Sequence, residues 1–152
     1  MNRLSKIFCI FGAVALGFTT AVAADAVKDR RAVMKKEIAA NFGMSRKMAK
    51  GTIPFDKDKA RQAMMTISAA ADKFVKMFPK GTEVGKAPDS EAKPEIWSDM
   101  KGFLAKADDL KKVTANVANA ALQGQAVFAK AVGDIGKACG SCHKVYRQKS
   151  KK

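Results

Sequence analysis

The chain has 152 residues, with 29 Lys and Arg against 14 Asp and Glu, a formal net charge of +15 and one histidine. That length suits one compact domain behind a leader, and such a charge favours acidic partners or membrane surfaces. No basic stripe interleaved with aromatics occurs, so nucleic acid is not expected as a partner; the lysines read as solvated helix faces.

Residues Met1 to Ala23 read as a secretory signal peptide. Arg3 and Lys6 give the positive start, Ile7 to Leu16 the apolar stretch, and Ala21-Val22-Ala23 the small-residue cleavage site. The apolar run is too short for a permanent membrane anchor. Cys9 lies inside it rather than at a cleavage point, which argues against a lipid anchor. The expected organisation is a signal peptide over 1–23 and a single domain over 24–152.

From Ala24 to about Lys50 the pattern is helical, with Val27, Met34, Ile38, Phe42 and Met48 recurring at sums of three and four. Gly51 to Phe55 is a turn, with Pro54 as a boundary. A second helix starts at Asp56 or Asp58 as N-cap, and its stripe runs Ala60, Met64, Ile67, Ala71, Phe74 and Phe78. The longest loop follows, from about Pro79 to Lys93. Pro94 opens a third helix, where its missing N–H costs nothing; the stripe is Trp97, Met100, Leu104, Ala107, Leu110, Val113 and Val117. After a turn at Leu122-Gln123-Gly124, a fourth helix carries Phe128, Val132, Ile135, Cys139, Cys142 and Tyr146 on one face. No strand-like alternation occurs. The expected fold is all-α, an antiparallel up-down four-helix bundle.

The chemistry is concentrated in Cys139-Gly140-Ser141-Cys142-His143. Cys-x-x-Cys-His is the attachment signature of c-type haem. Each thiol adds to a vinyl group, and the histidine reaches the iron. On a helix the three side chains share one face. A dithiol redox pair would need a strand-turn-helix setting, which is missing upstream. Structural zinc needs four ligands, and the chain lacks a second knuckle. A disulfide between Cys139 and Cys142 would close a very small loop and gain little. One covalently bound haem c near the C-terminus is therefore expected, with His143 as proximal ligand. Its attachment outside the cytoplasm agrees with export, hence a periplasmic location.

The distal side is narrowed by level along the bundle. In an up-down bundle the first and fourth helices are antiparallel neighbours, so Met34 and His143 sit at one height. Met44 would be displaced by roughly 15 Å at the helical rise. Met34 is thus expected to face the distal side of the iron, either as a thioether ligand giving a low-spin haem or as packing beside an open iron. Arg30, four residues earlier on the same face, is a candidate propionate contact, weighed against a solvent-exposed arginine. Arg147 is placed to shield the imidazole or meet a carboxylate. With Lys144, Lys149, Lys151 and Lys152 it forms either a solvated tail or a basic collar that steers acidic redox partners.

The chain resembles the class II c-type cytochromes, the cytochrome c′ and cytochrome c-556 group, over essentially the whole mature sequence. The resemblance is carried by Arg30 with Met34-Lys35, by Lys50-Gly51 with Pro54-Phe55-Asp56, by Pro94-Glu95-Ile96-Trp97, and most specifically by Gly136 to Arg147. It implies an antiparallel four-helix bundle with haem tied near the end of the last helix. In the low-spin c-556 type a methionine at the Met34 position is the sixth ligand; in high-spin cytochrome c′ that position is often a non-ligand, and the iron binds NO or CO. Met34-Lys35 is similar to the former, the Pro-Glu-Ile-Trp segment to the latter. The expected function is a periplasmic monohaem single-electron carrier rather than an enzyme, with redox proteins bearing acidic docking surfaces as partners. The alternative is a five-coordinate gas binder. The first two helices form dimer contacts in many cytochromes c′, so the resemblance leaves a homodimer open.

Overall fold

The computed structural model describes residues 17–149, with side chains from residue 21 onward. Residues 1–16 of the expected signal peptide lie outside the described residues. The elements are α1 (Gly17–Val33), a π-helical turn (Met34–Ala39), α2 (Ala40–Ala49), α3 (Lys57–Phe74), α4 (Glu95–Ser98), α5 (Met100–Leu122) and α6 (Gln125–Tyr146). They form an antiparallel four-helix bundle, in which α1, the π turn and α2 together make the first arm. α3 packs on α5, α5 on α6, and α2 on both α3 and α6. Among the described residues the one extended pairing is an antiparallel bridge between Ala92 and Arg147.

The first arm departs from the expected unbroken helix. Its buried positions run Ala23, Val27, Arg30 and Val33, then jump to Ile38. Five residues of α-helix would turn Val33 and Ile38 roughly 140° apart at 3.6 residues per turn. Closing the backbone from Ala40 N–H to the Lys35 carbonyl lets both face one core. Met34 then sits beside the core stripe rather than on it, half-buried at its edge.

α3 follows its sequence closely. The Asp56 carboxylate accepts from the N–H groups of Asp58 and Lys59, satisfying orphan donors of the first turn. Ala60, Met64, Ile67 and Ala71 are buried as expected. Phe78 lies beyond the helix end, edge-on to Phe74, Trp97 and Phe103.

The third helix is interrupted. Pro94 opens only α4, and Asp99 leaves helical geometry (φ −129°, ψ 57°) to cap α5, its carboxylate accepting from Gly102 N–H. The break shifts the buried face: Phe103 is 3% exposed, whereas Leu104 of the expected stripe is 42% exposed. Farther along, Val117 is buried as expected. The turn to α6 needs positive φ at Gly124 (104°), which glycine supplies without a Cβ clash. Phe128, Val132, Ile135 and Tyr146 of α6 are buried, with Cys139 and Cys142 half-buried on the same side.

Two cores result. The main one joins Val33, Ile38, Met48, Met64, Ile67, Val117, Phe128, Val132 and Ile135. A smaller one, of Ala92, Ile96, Phe103 and Tyr146, abuts Cys142 and supports the end of α6.

Candidate haem site

α6 delivers the motif residues to one cavity. Cys139, Cys142 and His143 line a space of about 770 Å³ together with Met34 from the π turn. That lies within the ~300–1,000 Å³ typical of cofactor pockets. Its apolar wall includes Ile38, Phe74, Phe78, Ile96, Phe103 and Leu110, and its polar edge Arg30, Arg31, Lys35, Lys36, Lys106 and Arg147. Asp89 and Glu91 also line that edge, so cations outnumber carboxylates there, which with the apolar interior suits a flat macrocycle that carries carboxylates.

The end of α6 is held from outside. Helix C-termini leave carbonyls without intrahelical donors. Here Lys93 donates its N–H to the Tyr146 carbonyl (3.0 Å) and its ammonium to the Val145 carbonyl (2.9 Å). Tyr146 Oη donates to Asp99 Oδ2 at 2.7 Å, tying the last turn of α6 to the cap of α5. Arg147 meets Glu91 (Nε to Oε2, 2.6 Å).

The protonation states suit haem attachment. Burial lowers the His143 pKa, Arg147 adds to this and Glu91 opposes it, so the imidazole is neutral at neutral pH with a lone pair to give. Burial raises both thiols, Cys142 to about 11 with the negative potential of Cys139 adding and Lys106 opposing. Both cysteines are unpaired. A reactive dithiol needs thiolates stabilised by an electropositive setting, and these are the reverse. Two half-buried thiols and a neutral imidazole on one face, opening onto an apolar cavity of this size, fit a haem.

Arg30 is not a solvent-exposed arginine. It is 4% exposed, with Nη1 donating to Thr82 Oγ1 (2.8 Å) and Nη2 to the Thr82 carbonyl (2.9 Å) and Ser90 Oγ (2.6 Å). Its guanidinium lies 4.6 Å from the Phe78 ring centroid, a favourable cation–π contact. Burial lowers its pKa to about 10, which still leaves it charged at neutral pH. Arg30 lines the cavity while anchoring the long loop, with N–H groups to spare.

Sequence reasoning missed the π turn, the Asp99–Tyr146 pair and the Lys93 cap. Asp99 had a local signal, a cap-forming residue three positions before Gly102. Lys93 had none, because its partners lie about fifty residues away in sequence.

A family model for cytochrome c′ matches residues 25–147. The chain is 42% identical over 103 residues to cytochrome c-554 of Cereibacter sphaeroides, covering 67% of this chain and 77% of that protein. It is 39% identical over 122 residues to cytochrome c-556 of Agrobacterium tumefaciens strain B2A, covering 80% and 96%. A nitric oxide complex of a cytochrome c′ variant from Alcaligenes xylosoxidans superimposes with a TM-score of 0.71 at 30% identity, covering 84% of this chain and 97% of that one. With the attachment motif on the last helix of a matching bundle, the chain belongs to the cytochrome c′ family and carries a covalently bound haem c, Cys139 and Cys142 standing in the haem-binding positions.

Proposed function

We propose that this protein is a periplasmic, monohaem single-electron carrier in which His143 and Met34 would hold the haem iron. The observation that carries the reading is that Met34, from the first arm, and His143, from α6, open onto the same cavity. Haem held between imidazole and thioether supplies a one-electron couple biased toward ferrous iron. A neutral His143 is ready to ligate without losing a proton. The apolar wall around Phe74, Phe78 and Phe103 would shield a bound haem from water and lower the reorganisation that accompanies each change of charge.

The remaining parts of the reading follow from charge and location. Residues 1–23 act as a cleavable export signal, and no helix among the described residues is long and apolar enough to cross a membrane. Arg30 offers its spare N–H groups to one propionate. Arg147, Lys144 and Lys149 surround the outer edge of His143 and present a basic face to acidic redox partners. With His143 and Met34 both holding the iron there would be no open site for a substrate, which would make the protein a carrier rather than an enzyme.

A second reading, a five-coordinate haem that captures NO or CO, is favoured by the nitric oxide complex of the similar cytochrome c′. The optical spectrum of reduced holoprotein before and after carbon monoxide separates the two. Sharp α and β bands unmoved by the gas support Met34 ligation. Broad bands that shift promptly replace it with the gas-binding reading.

A further inference from the structure

We propose that the 79–93 loop is a strut that sets the width of the haem cavity: Ser90 holds the wall carrying Met34, and the adjacent Glu91 holds the wall carrying His143. Ser90 is thereby a positioning residue for the distal ligand, an inference that rests on the axial role given to Met34.

The first grip is a buried polar cluster. Ser90 is 8% exposed and Thr82 fully buried. Ser90 Oγ accepts from Arg30 Nη2 at 2.6 Å and donates to the Thr82 carbonyl at 2.6 Å, while Ala92 N–H approaches it at 3.3 Å. Thr82 Oγ1 takes the other terminal nitrogen of Arg30. Arg30 stands one helical turn before Met34 on the same face. A buried guanidinium is costly unless its donors are used, so the loop and α1 stay together once the cluster has formed.

The second grip is on α6. The Glu91 carbonyl accepts from Gln148 N–H at 2.8 Å, and its carboxylate takes Arg147. Two residues farther, Lys93 caps the last turn, which carries His143. The π turn gives such a strut something to position. Its i→i+5 closure is a rare geometry, flanked by Val33 and Ile38 in the main core, and Met34 is its first residue. Val33 and Ile38 hold the turn in the main core, and Glu37 of the turn pairs with Lys73 of α3; the loop adds the fixed point on the Arg30 side of Met34.

The test uses reduced holoprotein with Ser90→Ala, Thr82→Val and Ser90→Thr, reading the CO association rate, the reduction potential and helix content. Thr82→Val keeps shape and the main-chain acceptor, and serves if Ser90→Ala folds poorly. Loss of a charge-assisted bond at either site is expected to raise the CO rate about tenfold and lower the potential at unchanged helix content. Ser90→Thr, which keeps the hydroxyl, restores both values. Folded Ser90→Ala and Thr82→Val proteins with the wild-type rate and potential would overturn the strut while leaving Met34 ligation standing. Prompt CO binding by the wild type itself would remove the ligation reading, and the strut with it, before any variant is made.

Discussion

Val33 and Ile38 are five residues apart and each is 5% exposed in a single core. Only the π turn reconciles that spacing with one buried face, because it accommodates one more residue than an α-helical turn.

It follows that one residue of the turn is dispensable to the fold. Deleting the exposed Lys36 brings Val33 and Ile38 to i, i+4 spacing, which an unbroken α-helix satisfies. The deletion protein should keep its helical circular dichroism and a melting temperature at or above that of the wild type. Deleting the exposed Met65 from α3 should do the opposite. It rotates Met64 and the residues before it by roughly 100° against Ile67 and swings buried side chains into water. Parallel thermal melts of the two deletions check the contrast.

Asp99 and Tyr146 give a pH prediction. The Tyr146 hydroxyl, then the Gly102 N–H, lower the Asp99 pKa from its ordinary 3.8, with burial opposing. A folded-state value below the unfolded one means that stability is fully present above the ordinary value. It is lost as pH falls through the lowered one. The stability difference between wild type and Asp99→Asn should therefore be flat near neutrality and shrink only on strong acidification. In Tyr146→Phe the first cause is gone, so the acid loss should be smaller and complete at a higher pH, with its onset unchanged. Urea unfolding at a series of acidic pH values measures both.

Gly102 shows the same pair from its steric side. A Cβ there would collide with the Asp99 carboxylate and the Tyr146 hydroxyl. Gly102→Ala gains helix propensity but must push that pair apart, an overpacking cost of about 1–3 kcal/mol. A lower melting temperature is expected despite the better helix former. The effect should be largely absent in the Asp99→Asn, Tyr146→Phe background only if the side chains there yield, so the double-mutant cycle measures how rigidly α6 is tied to α5.

The sequence disclosed the bundle and one wall of the site because those features are periodic or local. Ala60, Met64, Ile67 and Ala71 repeat at helical spacing and are buried. Cys139, Cys142 and His143 are one turn of one helix and meet one cavity. What stayed hidden depends on partners distant in sequence. The Lys93 cap and the Arg30 cluster join residues 52 or more apart. The Asp99 break defeated a stripe that still looked regular, since Phe103 and Leu104 are both apolar and hydrophobicity alone does not say which faces in. The π turn was masked likewise: Met34, Ile38 and Phe42 fit an α-helical stripe, and only the burial of Val33 shows that the register moves.

Met34→Leu is the variant that divides the functional readings. The exchange nearly conserves volume, and such swaps usually cost less than about 1.5 kcal/mol, so the melting temperature should change little for a half-buried side chain at the core edge. Leucine cannot donate to iron. If the thioether is the sixth ligand, the reduced variant must lose its sharp α and β bands, bind CO promptly and show a lower potential, all without a loss of helix. A variant whose spectrum and CO response equal those of the wild type would mean that Met34 only packs. The open cavity would then be a gas pocket, and the family relation to cytochrome c′ would describe its chemistry as well as its fold.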